Sequence, residues 1–335
     1  MKIRQIPIHV ALLLFAALLF FASAQSAHAN DKLRVGYLPI AEDAPKFVGV
    51  QKGIFKKHGL DVELVRFESG PDQVSAVLSG AIQVGAIGSP GIVFAAAGGR
   101  SVVAFLNNGS NRSGDAGHEY YAGIVVPEKS TIRSIGDLKG KRVAANVLKS
   151  NSEVQTILQV QRWNRENPSQ QIDMERDIRF VVLPFGSMPG ALERNLADAA
   201  SLIEPFMTQL SMQQPVRVVA PVGYAMPNWP ISLGVAERDY ARKNAEVLSR
   251  YRTAWAEAVA WIDQNRNETI SVIQPYTGLD KTVLSRIVFP SWAGDMNSVR
   301  EGTRKIMQGM IDAKLIKEQV DLDRYIVTDL RKFQP

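Results

Sequence analysis

Near the start of the chain, two corners built from serine, glycine and proline each join a short strand to a helix. Asp61–Phe67 alternates and is rich in valine, as a strand should be, and Ser69-Gly70-Pro71 follows it. Val84–Ile87 is the next strand, and Gly88-Ser89-Pro90 repeats the arrangement. In each corner the serine can cap the helix and the proline suits its first turn. Two helix N termini at the ends of neighbouring parallel strands predict a site for an anionic or polar ligand. Ordinary caps of a βαβ fold are the alternative.

The first 29 residues have the pattern of a secretory signal peptide. Lys2 and Arg4 form a positive region, Val10–Phe21 is an unbroken apolar run, and Ala27-His28-Ala29 fits a cleavage site. An uncleaved anchor is the alternative, but the run is too short to span a bilayer comfortably. We therefore expect export, with Asn30 as the first mature residue and a bacterial periplasm as the location.

Composition removes several classes of function. The chain contains no cysteine, which excludes disulfides, thiolate metal sites and a lipid-modified cysteine after the leader, so we expect a freely soluble mature protein. Loss of residues 1–29 removes Lys2 and Arg4 and no acid, so the formal net charge falls from +6 to +4. No basic tract interleaved with aromatic residues is present, and we expect no nucleic-acid partner.

Catalytic signals are also scarce. Of the four histidines, only His58 and His118 lie outside the leader. His118-Glu119 begins like a zinc-protease helix, but position 122 is alanine, so the second zinc ligand is missing. The sequence also has no phosphate-binding loop and no nucleophile elbow. These absences favour binding over turnover, and we expect no catalytic residue, no metal and no cofactor.

Strands and helices alternate from Leu33 to Val222, one further strand follows at Ile231–Ala236, and the rest of the chain reads as helical. This pattern predicts an α/β fold of two lobes, with parallel-rich sheets covered by helices and a helical C-terminal tail. Crossings near Tyr121 and Val222 divide the chain into lobe 1, residues 30–121 plus 223–335, and lobe 2, residues 122–222. Ala44–Lys57 and Glu237–Gln264 each read as one helix.

Several of these segments together resemble the periplasmic substrate-binding proteins for sulfonates, taurine and nitrate, a family that also contains binders of thiamine-related pyrimidines. The segments that carry the resemblance are Leu33–Pro39, Gly53-Ile54-Phe55, Gly59–Leu64, Ser69-Gly70-Pro71, Gly80–Gly85, Gly88-Ser89-Pro90, Ile135–Val143, Asp198 and Glu204-Pro205-Phe206. The resemblance implies a type II periplasmic binding fold that closes on a small molecule and then docks on the inner-membrane permease of an ABC importer. It also implies a monomer.

The resemblance assigns ligand-binding roles to strand ends and helix starts in both lobes. Tyr224 and Trp229 follow the return crossing and could wall the pocket, although packing between lobes is an equal alternative for these aromatic side chains. The expected ligand-binding residues are Pro39, Ser69, Gly70, Gly88, Ser89, Ser150, Asn151, Ser152, Ser187, Glu204, Tyr224 and Trp229.

Glu42 and Asp43 depart from what an anion site should contain. Two ionised carboxylates near the site would repel a purely anionic ligand. We expect both to point to solvent; the alternative is a ligand that carries a cationic group such as an amine. Arg112 and His118 could balance an anion, or could belong to a solvated loop.

The sequence thus predicts a periplasmic solute-binding protein for a small oxoanion or organosulfur compound, such as a sulfonate, a sulfate ester or a taurine- or nitrate-like molecule. An enzyme on the same fold, of the desulfinase or pyrimidine-forming type, is one alternative, but those types rely on cysteines that this chain lacks. A periplasmic sensor partner is the other.

Overall fold

A computed structural model describes residues 30–111, 121–226 and 228–333 of the protein. The predicted signal peptide, Arg112 and His118 lie outside these residues. The strands are β1 Asp31–Tyr37, β2 Leu60–Arg66, β3 Gly85–Gly88, β4 Val102–Ser110, β5 Ala122–Pro127, β6 Lys141–Ala145, β7 Ile178–Val182, β8 Ala199–Ile203, β9 Val216–Pro221 and β10 Pro230–Glu237. The expected strands Asp61–Phe67, Val84–Ile87 and Ile231–Ala236 agree with β2, β3 and β10 to within one residue at each end.

Helices precede or follow almost every strand and dominate the chain after β10. They are α1 Ala44–Gln51, α2 Ile54–Lys57, α3 Gly70–Leu78, α4 Ser89–Ala97, α5 Asn151–Glu166, α6 Met174–Asp177, α7 Met188–Glu193, α8 Phe206–Gln213, α9 Val222–Ala225, α10 Arg238–Lys243, α11 Ala245–Gln264, α12 Arg266–Thr277, α13 Lys281–Leu284 and α14 Met296–Asp312. Short 3-10 turns occur at Ala41–Asp43, Ile135–Leu138, Phe185–Ser187, Leu322–Arg324 and Leu330–Lys332.

The first strand set consists of β1 to β4 and β10. β1 and β2 pair in parallel from Asp31 opposite Leu60. A parallel bridge between Val35 and Val84 connects β1 to the chain that enters β3. β10 lies between β3 and β4 and is antiparallel to both. This order places the ends of β1 and β3, and the start of β10, at one edge.

The second strand set is a five-stranded sheet in the order β7-β6-β8-β5-β9. β6 pairs in parallel with β7 and β8, whereas β5 is antiparallel to β8 and β9. The predicted parallel pairing is therefore found in the βαβ units, whereas β5 and β10 run antiparallel to their neighbours. Both of these strands are reached by a crossing from the other strand set rather than through a helix of their own set, and such a strand can enter in either direction.

Two predicted helices are each broken into two. Gly53 separates α1 from α2 with a φ angle of 67°, a conformation that glycine adopts without steric cost. Asn244 separates α10 from α11. Tyr251 and Trp255, four positions apart on α11, are both buried.

Buried apolar side chains form two clusters. The larger joins the first strand set to the C-terminal helices and also extends into the second strand set, where it includes Val125, Ala144 and Leu202; the smaller lies within residues 124–220, around the second strand set. We propose that the two strand sets, each with the helices that pack on it, are the lobes expected at residues 30–121 plus 223–335 and at 122–222. Across residues 30–111, 121–226 and 228–333, no helix is long and apolar enough to cross a membrane.

Candidate functional site

A cavity of about 70 Å³ lies between the two strand sets, with room for a ligand of a few heavy atoms. Residues at the N-terminal ends of three helices line it: Gly70 and Pro71 of α3, Gly88 and Gly91 at the start of α4, and Ser150–Ser152 at the start of α5. Much of the remaining wall is apolar, from Leu38, Ile40, Ile87, Ile203 and Ile231. Helix N termini from both strand sets therefore share one small, largely apolar space, where partial positive charge favours an anionic group.

The start of α5 supplies polar groups and one cation. The Ser152 hydroxyl accepts a hydrogen bond from the Asn146 backbone amide at 2.9 Å, and the Ser150 and Ser152 hydroxyl oxygens are also 2.9 Å apart. Lys149 lines the cavity with an exposed side chain and a φ angle of 63°. Gln155, one turn further along α5, is buried in the wall, and its side-chain Nε2 has no hydrogen-bond partner among the described residues.

Asn151 holds the two strand sets close together at the cavity. Its side-chain Oδ1 accepts a hydrogen bond from the Trp229 Nε1 at 2.9 Å, and Trp229 is fully buried. On the other side, a Cβ placed on Gly88 would lie only 2.9 Å from the Asn151 Cβ, closer than real Cβ atoms approach. Glycine at position 88 therefore allows the starts of α4 and α5 to approach each other closely. A larger residue at this position would push the two helix starts apart.

Glu42 sits in the cavity wall and is only 2 % exposed. Its carboxylate accepts hydrogen bonds from Asn108 Nδ2 at 3.0 Å, from the Tyr121 hydroxyl at 3.2 Å and from the Ser232 hydroxyl. Burial raises the pKa of Glu42 to about 8; the Asp43 charge adds to this rise, and the hydrogen bond from Asn108 opposes it. At neutral pH, then, the unliganded site favours a protonated Glu42.

Asp43 is 1 % exposed and forms an ion pair with Lys46 at 2.7 Å. Its carboxylate also accepts hydrogen bonds from the Leu38 amide at 2.7 Å and from Asn108 Nδ2 at 3.2 Å. The Lys46 ammonium donates in addition to the Gly36 carbonyl at 2.9 Å. The expectation that Glu42 and Asp43 point to solvent is therefore wrong: both are buried and line the cavity, because neutral donors and Lys46 hold them there.

Five of the expected ligand-binding residues line the cavity, namely Gly70, Gly88, Ser150, Asn151 and Ser152. Pro39 lies between two lining residues, Leu38 and Ile40. Trp229 lies behind Asn151 rather than on the wall. The structure brings these residues together at one place, and their contact with a ligand stays a prediction.

The hydroxyls of Ser69 and Ser89 are already engaged within the protein. Ser69 caps α3: its oxygen accepts from the Asp72 amide at 3.3 Å and its hydroxyl donates to the Asp72 carboxylate at 2.6 Å. Ser89 is fully buried and donates to the Pro230 carbonyl. Both serine hydroxyls stabilise the corners in which they lie, and the neighbouring Gly70 and Gly88 line the cavity.

Ser187, Glu204 and Tyr224 are not among the residues that line the cavity. Ser187 is exposed after the Phe185–Ser187 turn. Glu204 accepts from the Thr208 hydroxyl at 2.7 Å and from the Val288 amide at 3.3 Å, and burial raises its pKa to about 7. The Tyr224 hydroxyl donates to Glu166 at 2.7 Å. A role for these three in ligand contact stays a prediction that this conformation does not favour.

Several residues that line the cavity were not predicted from the sequence, and the main ones are Asn108, Ser232, Gln155 and Asn146. Asn108 and Ser232 hydrogen-bond to one another although they lie 124 positions apart. Asn146 does follow a strand directly, and that position at a strand end was a usable signal. Within residues 30–111, 121–226 and 228–333, no group of three or more metal-ligating side chains comes together.

The sequence pattern that defines the NMT1-like family matches residues 26–274. The chain belongs to that family. A provisionally named aliphatic sulfonate-binding protein of Escherichia coli is 26 % identical over 261 residues, which cover 73 % of this chain and 76 % of that relative. The family resemblance inferred from the sequence is thereby confirmed.

Solved structures give the same fold. The alkanesulfonate-binding protein SsuA of Xanthomonas axonopodis pv. citri, bound to MOPS, has a TM-score of 0.73 at 19 % identity and covers 88 % of this chain and 97 % of its own. The periplasmic nitrate-binding protein NrtA of Synechocystis PCC 6803 has a TM-score of 0.69 at 14 % identity, with 90 % and 88 % covered. This member of the NMT1-like family therefore has the two-lobed fold of periplasmic binding proteins.

Proposed function

We propose that this protein is the substrate-binding component of an ABC importer and that it binds a small oxoanion or organosulfur compound between its lobes. The class comprises sulfonates, sulfate esters and taurine- or nitrate-like molecules. The names of its relatives support this class, since they include binders of sulfonates and of nitrate. The expected export signal supports action in the periplasm with an inner-membrane permease as partner, and the protein works as a monomer.

One observation carries the proposal: the starts of α3, α4 and α5, from both strand sets, line a single cavity. Each helix start offers backbone N–H groups and the positive end of a helix dipole, which together favour an anionic oxygen. Protonation of Glu42 and neutralisation of Asp43 by Lys46 remove most of the repulsion that two carboxylates would otherwise exert.

The mechanism is hinge closure rather than chemistry. A ligand held by residues of both lobes interacts with more groups in the closed state than in the open one, so binding shifts the equilibrium towards closure. The contact of Gly88 with Asn151 and the hydrogen bond from Trp229 join residues of the two proposed lobes, so we expect both to form in the closed state. Neighbouring genes would separate import from sensing: a permease gene and an ATPase gene beside this one favour import.

Thermal stability across a ligand panel tests the proposal. A ligand at a hundred times its Kd adds about 2.7 kcal/mol to the free energy of unfolding, which raises the Tm by several degrees. The panel contains alkanesulfonates, aminoalkanesulfonates, sulfate esters, nitrate and bicarbonate. We expect at least one of them to raise the Tm of the wild type.

Gly88→Ala should reduce that shift, because the added methyl group would lie 2.9 Å from the Asn151 Cβ. Gly190→Ala is the matched control: the added methyl group would contact only the flexible Arg194 guanidinium at 3.3 Å or more, away from the cavity. No stabilisation by any compound of the panel would refute the proposed class, and equal shifts in both variants would refute the site.

A further inference from the structure

One wall of the cavity carries hydrogen-bond acceptors that the anion-binding helix starts do not explain. Glu42 and Asn108 lie side by side in this wall, and both side chains are at least nine-tenths buried. Gly109 makes room for them: a Cβ on Gly109 would lie 2.8 Å from the Glu42 Cγ. The Trp292 Nε1 fixes the Glu42 backbone by donating to its carbonyl at 3.0 Å. Several elements therefore hold the Glu42 carboxyl group at the cavity, although burial of an acidic side chain costs free energy.

The orientation of the Asn108 amide is determined by its neighbours. Its Nδ2 donates to Glu42 Oε1 at 3.0 Å and to Asp43 Oδ1 at 3.2 Å, and an acceptor in its place would face the Asp43 carboxylate that pairs with Lys46. Its Oδ1 consequently faces away from the two carboxylates, is buried, and has no hydrogen-bond partner among the described residues. A buried carbonyl oxygen without a partner costs free energy, so this position calls for a donor.

The two carboxyl groups in this wall, those of Asp43 and Glu42, differ in whether a counter-ion lies beside them. Asp43 has Lys46 as its counter-ion at 2.7 Å. Glu42 has only the neutral donors Asn108, Ser232 and Tyr121. No described cation pairs with the Glu42 carboxylate, and the one lining residue with a positive side chain is Lys149, on the exposed side at the start of α5. The free site favours a protonated Glu42, and a cationic N–H group on the ligand would favour its ionised form and serve as its counter-ion. The same group would provide Asn108 Oδ1 with a donor.

We propose that the ligand is a small zwitterion, whose anionic group lies at the helix starts and whose cationic N–H group is received by Glu42 and Asn108 Oδ1. This inference rests on the proposed function and sharpens it: within the sulfonate class it selects compounds with an amino or amidino group over simple alkanesulfonates, sulfate esters and nitrate. Glu42 is then the residue that determines specificity, and the helix starts provide affinity for the anionic end.

A matched pair of ligands tests this directly. 2-Aminoethanesulfonate and 1-propanesulfonate have the same number of heavy atoms and differ in that an ammonium group replaces a methyl group. By isothermal titration of the wild type at pH 7.5, we expect the aminosulfonate to bind about 10- to 100-fold more tightly, as for a hydrogen bond to a charged group. Glu42→Gln should reduce this preference to within a few-fold, because the amide has no charge. Ser150→Ala, at the start of α5 in the other strand set, should weaken both ligands alike.

The outcomes separate the inference from the function on which it rests. If 1-propanesulfonate binds the wild type as tightly as the aminosulfonate, or more tightly, the inference of a zwitterionic ligand is overturned while the proposed function stands. If neither compound nor any member of the wider panel binds, the proposed function fails and the inference with it. The comparison on the wild type decides the inference even if Glu42→Gln does not fold. A folded Glu42→Gln protein that keeps the full preference contradicts the role of Glu42.

Discussion

The buried ion pair between Asp43 and Lys46 is central to the stability of the cavity wall, and Lys46→Met tests it. Methionine keeps the length and apolar character of the lysine stem but leaves the Asp43 carboxylate, 1 % exposed, without a counter-ion. Removal of one partner of a buried pair costs about 3–5 kcal/mol. For about 300 ordered residues the entropy of unfolding is about 0.6 kcal/mol per degree, so the Tm should fall by about 5–8 °C.

Lys57→Met is the matched control, since Lys57 pairs with Glu257 at 2.7 Å but its side chain is 66 % exposed. An exposed pair of this kind contributes about 0–1 kcal/mol, or at most about 2 °C. Differential scanning calorimetry together with urea unfolding measures both variants. Asp43→Asn combined with Lys46→Met should recover part of the loss. Equally small decreases in Tm for the two lysine variants would refute the reasoning that an unpaired, buried Asp43 carboxylate carries a large desolvation cost.

Two further predictions concern the closed cleft and the buried acid. Trp229→Phe keeps the buried ring but removes the 2.9 Å hydrogen bond to Asn151, so ligand affinity measured by titration should fall about fivefold, and an unchanged Kd would contradict that contact. Burial raises the pKa of Glu42 to about 8, so its neutral form is favoured in the folded protein and stability is lost as pH rises from about 4.5 towards 8. Relative to Glu42→Gln, the wild type should lose about 1.4 kcal/mol of unfolding free energy per pH unit between pH 5 and pH 7, as measured by urea unfolding. Parallel dependences of the unfolding free energy on pH in the two proteins would refute the raised pKa of Glu42.

The strand-end positions of the site could be predicted because they depend on local chemistry. A serine cap, an early proline and a preceding strand indicate where a helix begins, and parallel strands bring such starts to one edge. Gly70 and Gly88 lie in the two corners that this pattern predicts, whereas the start of α5 is assigned by the family resemblance. The same local chemistry explains why the Ser69 hydroxyl is unavailable, since the cap itself uses it.

The acceptor wall could not be predicted because it depends on register between distant strands. Asn108 meets Ser232 only when β4 and β10 pair with Ser232 opposite Gly109. From the sequence, Glu42 and Asp43 are expected in solvent because two ionised carboxylates would repel an anionic ligand. The partner of Asp43 was visible in the sequence, since Lys46 follows Asp43 by three positions, but only the fold shows that this lysine is buried as well.

The most direct test of ligand-driven closure is the distance between the lobes in solution. The chain contains no cysteine, so Glu63→Cys on β2 and Glu193→Cys on α7, both at exposed positions and in different proposed lobes, place two spin labels without competing sites. Pulsed electron resonance would then give the distribution of distances with and without a ligand that stabilises the protein. We predict that saturating ligand narrows the distribution and shifts it to shorter distances, and that Gly88→Ala reduces the shift. An identical distribution in the free and the ligand-saturated protein would contradict closure around the ligand.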